Sequence, residues 1–284
     1  MPEWLETYRG VVNPWECDVV QHFTIAYYFD RLADATRNFL DLCEEGGLDA
    51  GLDHGPARHH ATFAHELRAG ASFHILTAVV GIDARRLQLG HQVLSSTTGE
   101  TVTWVTESLV LSCDFPSDAA TMQRLAALCL PWSGPKAPDR PAPSTASGQL
   151  TVRDRVKAWE IDERGSMSLP AHIHRFSAAS MQTLAAVGMT SHYMDERRRG
   201  YSTFELDLTR YDQARAGEVI DVATSVSHLG KSSLRLAHRM TGSNGRKIAF
   251  LMQSGVHLDM DARRSTAIPD ALRPAIEKLL HREG

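Results

Sequence analysis

The tetrapeptide Trp15-Glu16-Cys17-Asp18 returns as Trp159-Glu160-Ile161-Asp162, 144 positions later. The same displacement carries Arg31 onto Arg175, Ala35 onto Ala179, Thr36 onto Ser180 and Leu40 onto Leu184 without a gap. Further along, Arg68-Ala69-Gly70 returns as Arg215-Ala216-Gly217 and His91 as His238, both displaced by 147. The chain is a tandem duplication, and any fold assigned to it must be one that can be built twice.

Between the copies lies Pro131-Trp132-Ser133-Gly134-Pro135-Lys136-Ala137-Pro138, continuing through Pro141 and Pro143 to Gly148, with five of the twelve prolines. Proline fixes φ and removes a donor, which favours an extended connector. The expected division is residues 1–130, a Pro-rich linker at 131–148, and residues 149–284. Each copy then has an ordinary domain size.

Each copy also shows one order of elements. A strand is expected to end at the Trp-Glu-x-Asp motif. After it, Tyr28, Leu32, Ala35, Phe39 and Leu42 recur at helical spacing up to Gly46-Gly47, matched by Phe176, Ala179, Leu184 and Val187 before Gly188. Three β-rich runs follow in copy one (73–82, 87–95 and 102–111) and three in copy two (219–229, 234–240 and 247–258). The links Thr97-Thr98-Gly99-Glu100 and Ser243-Asn244-Gly245-Arg246 are hairpin chemistry. A short amphipathic helix is expected to close each copy, at 117–129 and 270–281.

Composition narrows the function. With 43% apolar and 23% charged residues the chain has enough apolar surface for a core, and its net charge of −4 gives no basic field for nucleic acid. No run of about 18 apolar residues is present and the N-terminus lacks a basic segment followed by an apolar one, so a cytoplasmic, non-membrane protein is expected. Cys17, Cys43, Cys113 and Cys129 are scattered, which reads as reduced, structural thiols. His59-His60 with His65 are read as loop residues without carboxylate or cysteine ligand spacing, and no metal is expected. Gly230-Lys231-Ser232 matches the end of a phosphate-binding loop, but Ser225 stands where its first glycine is required.

The run Trp15-Glu16-Cys17-Asp18-Val19-Val20-Gln21-His22-Phe23-Thr24, followed by Tyr27-Tyr28-Phe29-Asp30 and Ala33-Asp34-Ala35, resembles acyl-CoA thioesterases of the 4-hydroxybenzoyl-CoA thioesterase type. In that family the strand-to-helix turn commonly reads DxxGHxN, with a tyrosine three or four residues on. Asp18, His22 and Tyr27 or Tyr28 match, whereas Gln21 replaces the glycine and Thr24 the asparagine. Copy two keeps Asp162 and Gly165 but has Ser166 and Ser168 at the histidine and asparagine positions. The Arg-Ala-Gly tripeptides and Leu229-Gly230-Lys231-Ser232-Ser233 also look like this family. The resemblance implies an α+β fold of two tandem hotdog domains, each a long central helix wrapped by a curved antiparallel sheet. It further implies that the two pair about a pseudo-twofold axis within the chain, with further homodimerisation left open.

Thioester hydrolysis needs a base or nucleophile, a donor for the developing oxyanion, and a dry slot for the acyl group. Asp18 stands directly before a helix whose first free amides are expected near Thr24 and Ile25, where the helix dipole favours negative charge. The resemblance gives the same assignment, with Asp18 as nucleophile or as base for water. His22 is expected to orient the carboxylate or water, and Thr24 to replace the usual amide side chain. An ordinary turn carboxylate at Asp18 and a packed histidine at His22 stand as the alternative readings. Asp162 marks an equivalent second site whose activity is open. His172 and His174 read as structural or binding residues.

The expected substrate is an acyl-CoA, with no separate cofactor. Its phosphates need local cations, for which Arg68, Arg85, Arg86, Arg215 and Lys231, with Ser232, are the candidates. Two other readings remain at this stage. A hotdog hydratase or dehydratase would need a differently placed Asp and His pair. A noncatalytic acyl-CoA binding or sensor protein is suggested by the departures at Gln21 and Thr24.

Overall fold

A computed structural model describes residues 3–42, 57–83, 86–110, 123, 126–140 and 148–280. The chain divides into two compact units, residues 1–137 and 138–284. Cys43, Arg85, Cys113 and most of the expected helix at 117–129 lie outside the described residues, as does the end of the one at 270–281.

In the first unit, β1 (Leu5–Val11) leads through a 3-10 turn at Pro14–Glu16 into α1 (Ile25–Leu42). Four strands follow: β2 (Ala57–Phe63), β3 (Ser72–Asp83), β4 (Arg86–Ser95) and β5 (Thr101–Val110). They make one antiparallel sheet in the order β1-β3-β4-β5-β2. The apolar stripe of α1, from Ala26 through Tyr28, Leu32 and Ala35 to Phe39, is buried. Phe39 and Leu40 pack with Val79, Leu87, Leu89 and Leu109. Along β4, Arg86 and Gln88 are exposed while Leu87 and Leu89 are buried, the period-two signature of a sheet with one covered face.

The second unit repeats the plan. β6 (Gln149–Arg155) and a 3-10 turn at Ala158–Glu160 precede α2 (Leu169–Ala186), which ends where Gly188 adopts φ +96°. A short α3 (Ser191–Arg197) leads into β7 (Arg199–Arg210), β8 (Val219–Leu229), β9 (Ser233–Gly242) and β10 (Lys247–Asp259). The sheet order is β7-β10-β9-β8-β6, with the two-residue β11 (Arg264–Ser265) on β10. The short α4 (Arg273–Lys278) contributes Ile276 to a core with Leu184, Val226 and Leu236. A long helix against a five-stranded antiparallel sheet, built twice, is a tandem hotdog.

Both hairpins form as the sequence suggests, with Gly99 and Gly245 at positive φ. Three expectations differ. The Trp-Glu motif is a 3-10 turn rather than a strand end. His59 and His60 lie within strand β2, not in a loop. β7, too, adds a strand beyond the three-stranded meander read in each copy. Among the described residues no helix is long and apolar enough to cross a membrane.

Candidate active site

The repeated motif divides its labour. Trp15 and Trp159 are 74% and 82% exposed, so the tryptophan does not hold the turn. The glutamate does. Glu16 Oε2 accepts the Asn13 N–H at 2.8 Å, and its other oxygen pairs with Arg31 of α1 at 2.5 Å. Glu160 repeats this with the Lys157 N–H at 2.7 Å and Arg175 of α2 at 2.6 Å. This ion pair ties the 3-10 turn to the helix in both units. It explains why Glu and Arg recur 15 residues apart.

The aspartate closes the next turn. Asp18 Oδ1 accepts the N–H groups of Val20 at 2.9 Å and His22 at 3.0 Å, while the Asp18 N–H donates to the His22 carbonyl at 2.8 Å. Asp162 Oδ1 likewise accepts from Arg164 and Ser166, both at 3.0 Å. This closed turn needs a left-handed residue three positions after the aspartate. Gly165 supplies it at φ +77°, and Gln21 adopts the same conformation at φ +64° despite its side chain. The glycine missing from copy one therefore leaves the loop geometry intact.

His22 Nε2 pairs with Glu66 Oε1 at 2.9 Å. Glu66 lies just before Leu67, whose carbonyl accepts the Phe23 N–H at 2.8 Å and so fixes the 66–68 segment against the turn. Asp18 is exposed as a residue, but its carboxyl is crowded by the turn that folds over it, and that crowding governs its ionisation. Desolvation pushes its pKa up from the ordinary Asp value; the His22 amide and imidazole and the Val20 amide pull it down, and the Glu66 charge adds to the rise. The turn brings together Asp18 and His22, which share one sequence motif, and Glu66, which the sequence marks only as a carboxylate two residues before the first Arg-Ala-Gly.

The aromatic residues after the turn form its floor. Phe23 packs on Tyr28 with ring centroids 4.5 Å apart and on Phe73 at 5.6 Å. Burial pushes the Tyr28 hydroxyl far above its usual range, against a smaller opposing pull from the neighbouring Thr103 and Leu67 backbone. Tyr28 is thus a fixed wall.

One expected donor is occupied. The Thr24 N–H donates to the Glu16 carbonyl at 2.8 Å, and the Ser168 N–H to the Glu160 carbonyl at 2.8 Å. The first free helix amides consequently begin at Ile25, because the opening residues of an α-helix have no intrahelical acceptor. The Thr24 carbonyl accepts the Tyr27 N–H at 2.9 Å, and the residue acts through its backbone as the helix cap.

The candidate cations separate within each unit. Arg68 stands beside the Asp18 turn, paired with Glu66 at 3.4 Å, and its tripeptide is a tight turn in which Gly70 takes φ +85°. Arg215 opens the equivalent turn before β8, where Gly217 takes φ +82°. Arg86 stands at the far end of the β3–β4 hairpin from Ser72, a strand length of roughly 30–35 Å. Lys231 and Ser232 occupy the β8–β9 turn at the far end of β8, where their carbonyls accept the N–H groups of Ile268 and His257. Arg85 lies outside the described residues.

A second polar assembly was invisible in sequence. In the first unit Glu107 of β5 accepts from Thr36 of α1 at 2.6 Å and meets His59 of β2 at 2.9 Å and His91 of β4 at 3.4 Å. His91 Nδ1 continues to Thr77 at 2.9 Å, and Thr77 to Thr7 at 2.7 Å. Burial pushes the Glu107 carboxyl up, but the His59 charge and bond, with the nearby His91, outweigh it and hold the group well below the usual carboxylate range. A carboxylate does therefore accompany the His59-His60 pair. Among the described residues, however, no group of three or more His, Cys, Asp or Glu side chains is arranged to hold a metal.

In the second unit the network is neutral. Thr151 meets Thr224 at 2.8 Å, Thr224 meets His238 Nδ1 at 2.8 Å, and His238 Nε2 meets Ser180 at 3.2 Å. Ser180 donates to Gln253 at 2.8 Å, and Gln253 donates to Thr203 at 2.7 Å. An Nε2–H tautomer of His238 satisfies the whole chain in one direction. Burial holds this imidazole at a pKa of about 3, so it stays neutral. Of the two histidines read in α2, His172 is buried with Nδ1 2.9 Å from the Ser168 carbonyl, whereas His174 is exposed.

Two units of one long helix on an antiparallel sheet, each with an aspartate-closed turn at the helix start, define a double-hotdog protein. The profile of the Thioesterase-like superfamily matches residues 12–139 and 156–276, one segment in each unit, and the chain belongs to that superfamily. Among solved structures it is similar to an acyl-ACP thioesterase from Bacteroides thetaiotaomicron, at TM-score 0.67 and 9% identity, covering 87% of this chain and 96% of that one. It is also similar to a 12:0-ACP thioesterase from Umbellularia californica, at TM-score 0.63 and 14% identity, covering 88% and 93%. At these identities the likeness is one of fold. A curated relative, the L-carnitine dehydrogenase/betainyl-CoA thioesterase of Agrobacterium fabrum (strain C58 / ATCC 33970), is 25% identical over 124 residues, 44% of this chain. The match spans 25% of that relative's length.

Proposed function

We propose that the protein hydrolyses an acyl-CoA thioester to free coenzyme A and a carboxylic acid at the Asp18 turn. The observation that carries this reading is the Asp18 carboxylate itself: Oδ1 is fixed by two backbone amides, beside the His22–Glu66 pair and directly before the start of α1. Oδ2 makes no hydrogen bond among the described residues and is the oxygen left for chemistry. Membership of the Thioesterase-like superfamily supports the reaction class.

In the water route, Asp18 Oδ2 takes a proton as the water oxygen bonds to the thioester carbon. The carbonyl oxygen gains charge against the amides of Ile25 and Ala26, then the C–S bond breaks and the departing thiolate is protonated. In the nucleophilic route Oδ2 attacks the carbon itself, and water cleaves the resulting mixed anhydride. A single turnover in ¹⁸O-water separates them, since only the anhydride route can leave label in the Asp18 carboxyl. His22, held by Glu66, is the positioning residue for this carboxylate. Asp162 shares the turn but has Ser166 in place of the histidine, and the first unit is therefore assigned the turnover.

Thiol release measured across saturated short, branched, aromatic and long acyl-CoAs tests the reading. Turnover of a saturated substrate supports hydrolysis and excludes water addition to a double bond as the activity. Tight binding with no released thiol from any of them would contradict it and identify an acyl-CoA binding protein.

A further inference from the structure

The outer face of the first sheet, opposite α1, carries a cavity of about 410 Å³ lined by residues of β2, β3, β4 and β5. Its floor is a single cross-strand row. Gly81 is the register partner of Gln88, Gln88 of Ser108, and Ser108 of Arg58. One row to one side are Thr106 and its partner, the buried His60; one row to the other are Asp83 and its partner Arg86. The inward residues of the same strands, Leu87, Leu89 and Glu107, belong to the core, so this is a different face from the one that holds α1.

The chain leaving the sheet runs over this face. The Leu130 N–H donates to the Val79 carbonyl at 2.8 Å, and Trp132 lies on Gly90, where a Cβ would stand 2.7 Å from the indole. Trp132 also meets Trp104 edge-on at 5.4 Å, and its Nε1–H is held by the Pro135 carbonyl at 3.0 Å. Ala137 then lines the cavity. The segment that reads as a linker thus begins as a fixed rim.

Arg58 and Arg86 sit two strands and one row apart, which places their Cα atoms about 12 Å from each other across Ser108. Two arginine side chains can close that gap on one oxyanion, and guanidinium forks match the geometry of phosphate and carboxylate. The Arg86 side chain makes no hydrogen bond or ion pair among the described residues. Among the described residues of the lining, two guanidinium groups, Arg58 and Arg86, stand with one carboxylate, Asp83, while Gln88, Thr106 and Ser108 add neutral donors. A volume of this size exceeds a bare inorganic anion and falls within the range of small-molecule sites.

We propose that this outer-face cavity binds a small organic oxyanion, a phosphate- or carboxylate-bearing molecule, with Arg58 and Arg86 clasping the anionic group over Ser108. The site is separate from the Asp18 turn, and its occupancy does not depend on the hydrolysis proposed above.

The test is calorimetric titration of the full chain with adenosine 3′,5′-bisphosphate, citrate and inorganic phosphate at matched ionic strength. Arg86→Ala, Ser108→Asp and, as a surface control, Arg9→Ala are compared with the unaltered protein. Saturable binding of adenosine 3′,5′-bisphosphate or citrate is expected. Arg86→Ala should weaken it roughly 10- to 100-fold, the effect of losing a charge-assisted hydrogen bond. Ser108→Asp should abolish it by putting a carboxylate on the floor, and Arg9→Ala should leave it unchanged. Preference for the bisphosphate assigns the source to coenzyme A fragments; preference for citrate assigns it to a separate carboxylate metabolite. No saturable binding of any probe, or equal weakening by Arg9→Ala, would overturn the proposal. So would retained binding in both Arg86→Ala and Ser108→Asp with unchanged melting temperatures.

Discussion

Glu107 and Gln253 occupy the same place in the two repeats, each meeting the hydroxyl that the central helix presents at Thr36 or Ser180. Sequence duplication has kept the shape of this buried network and changed its charge. In the first unit a carboxylate gathers two histidines and a threonine, whereas in the second an amide passes one hydrogen bond onward.

The amide should therefore be tolerated at the carboxylate position. Glu107→Gln is expected to cost about 1 kcal/mol, because its oxygen can still accept from Thr36. Glu107→Ala should cost on the order of 3 kcal/mol or more, since it strands buried polar partners. Urea unfolding of the two variants measures the difference. Equal costs would show that the charge, rather than the bonding pattern, holds this core.

The two networks should also respond to acid at different pH. His238 has a folded pKa of about 3, so between about 6.5 and 3 the unfolded chain binds the proton and the folded chain does not. Its contribution to stability is complete above 6.5 and is lost as pH falls through that window, by about 5 kcal/mol at the acid end. Glu107, with its pKa lowered, keeps its contribution above the unfolded value and loses it only as pH falls below that towards the folded one. Melting curves from pH 7.5 to 4.5 should show a slope that His238→Gln flattens. An unchanged slope would contradict the buried, neutral imidazole.

At the turn, Gln21 adopts a backbone conformation that a side chain disfavours. Replacing it by glycine relieves that strain and gives back part of the gain as unfolded-state entropy. Gln21→Gly is expected to stabilise the protein by roughly 0.5–1 kcal/mol and to leave turnover intact. A fall in melting temperature would show that the Gln21 side chain has a role of its own.

His22 lowers the Asp18 pKa through both its amide and its imidazole. His22→Gln keeps the amide and removes the ring. The acid limb of kcat/KM, where the Asp18 base becomes protonated, should then move to higher pH along with any loss of rate. A limb that stays in place or moves down would mean that another group titrates there.

Much of this fold is legible in the sequence because duplication marks its elements twice. The meander strands fall where alternation places them, and both helices follow the three-and-four spacing. Strand β2 escapes because its inward positions, His59 and Ala61, are not the large apolar residues that alternation needs. Polarity there serves Glu107, which lies 48 residues away in sequence and is unknown until β5 is placed beside β2. Strand β7 did carry the pattern, with Leu206 and Leu208 buried between Glu205, Asp207 and Thr209. At the site, Asp18 and His22 stand in one local motif and can be read directly. Glu66 reaches His22 only through the closing contact of Leu67 with Phe23, a tertiary fact.

The central claim is that the Asp18 turn does the chemistry while its copy at Asp162 is structural, and paired substitution tests it most directly. Asparagine keeps the oxygen that accepts the Val20 and His22 amides, or those of Arg164 and Ser166, so both variants should fold with little change in melting temperature. On a good acyl-CoA substrate, Asp18→Asn should lower kcat on the order of 10²–10⁴-fold with binding retained, the usual contribution of a positioned acid-base group. Asp162→Asn should keep turnover near normal. Near-normal turnover in Asp18→Asn, with or without loss in Asp162→Asn, would contradict the assignment.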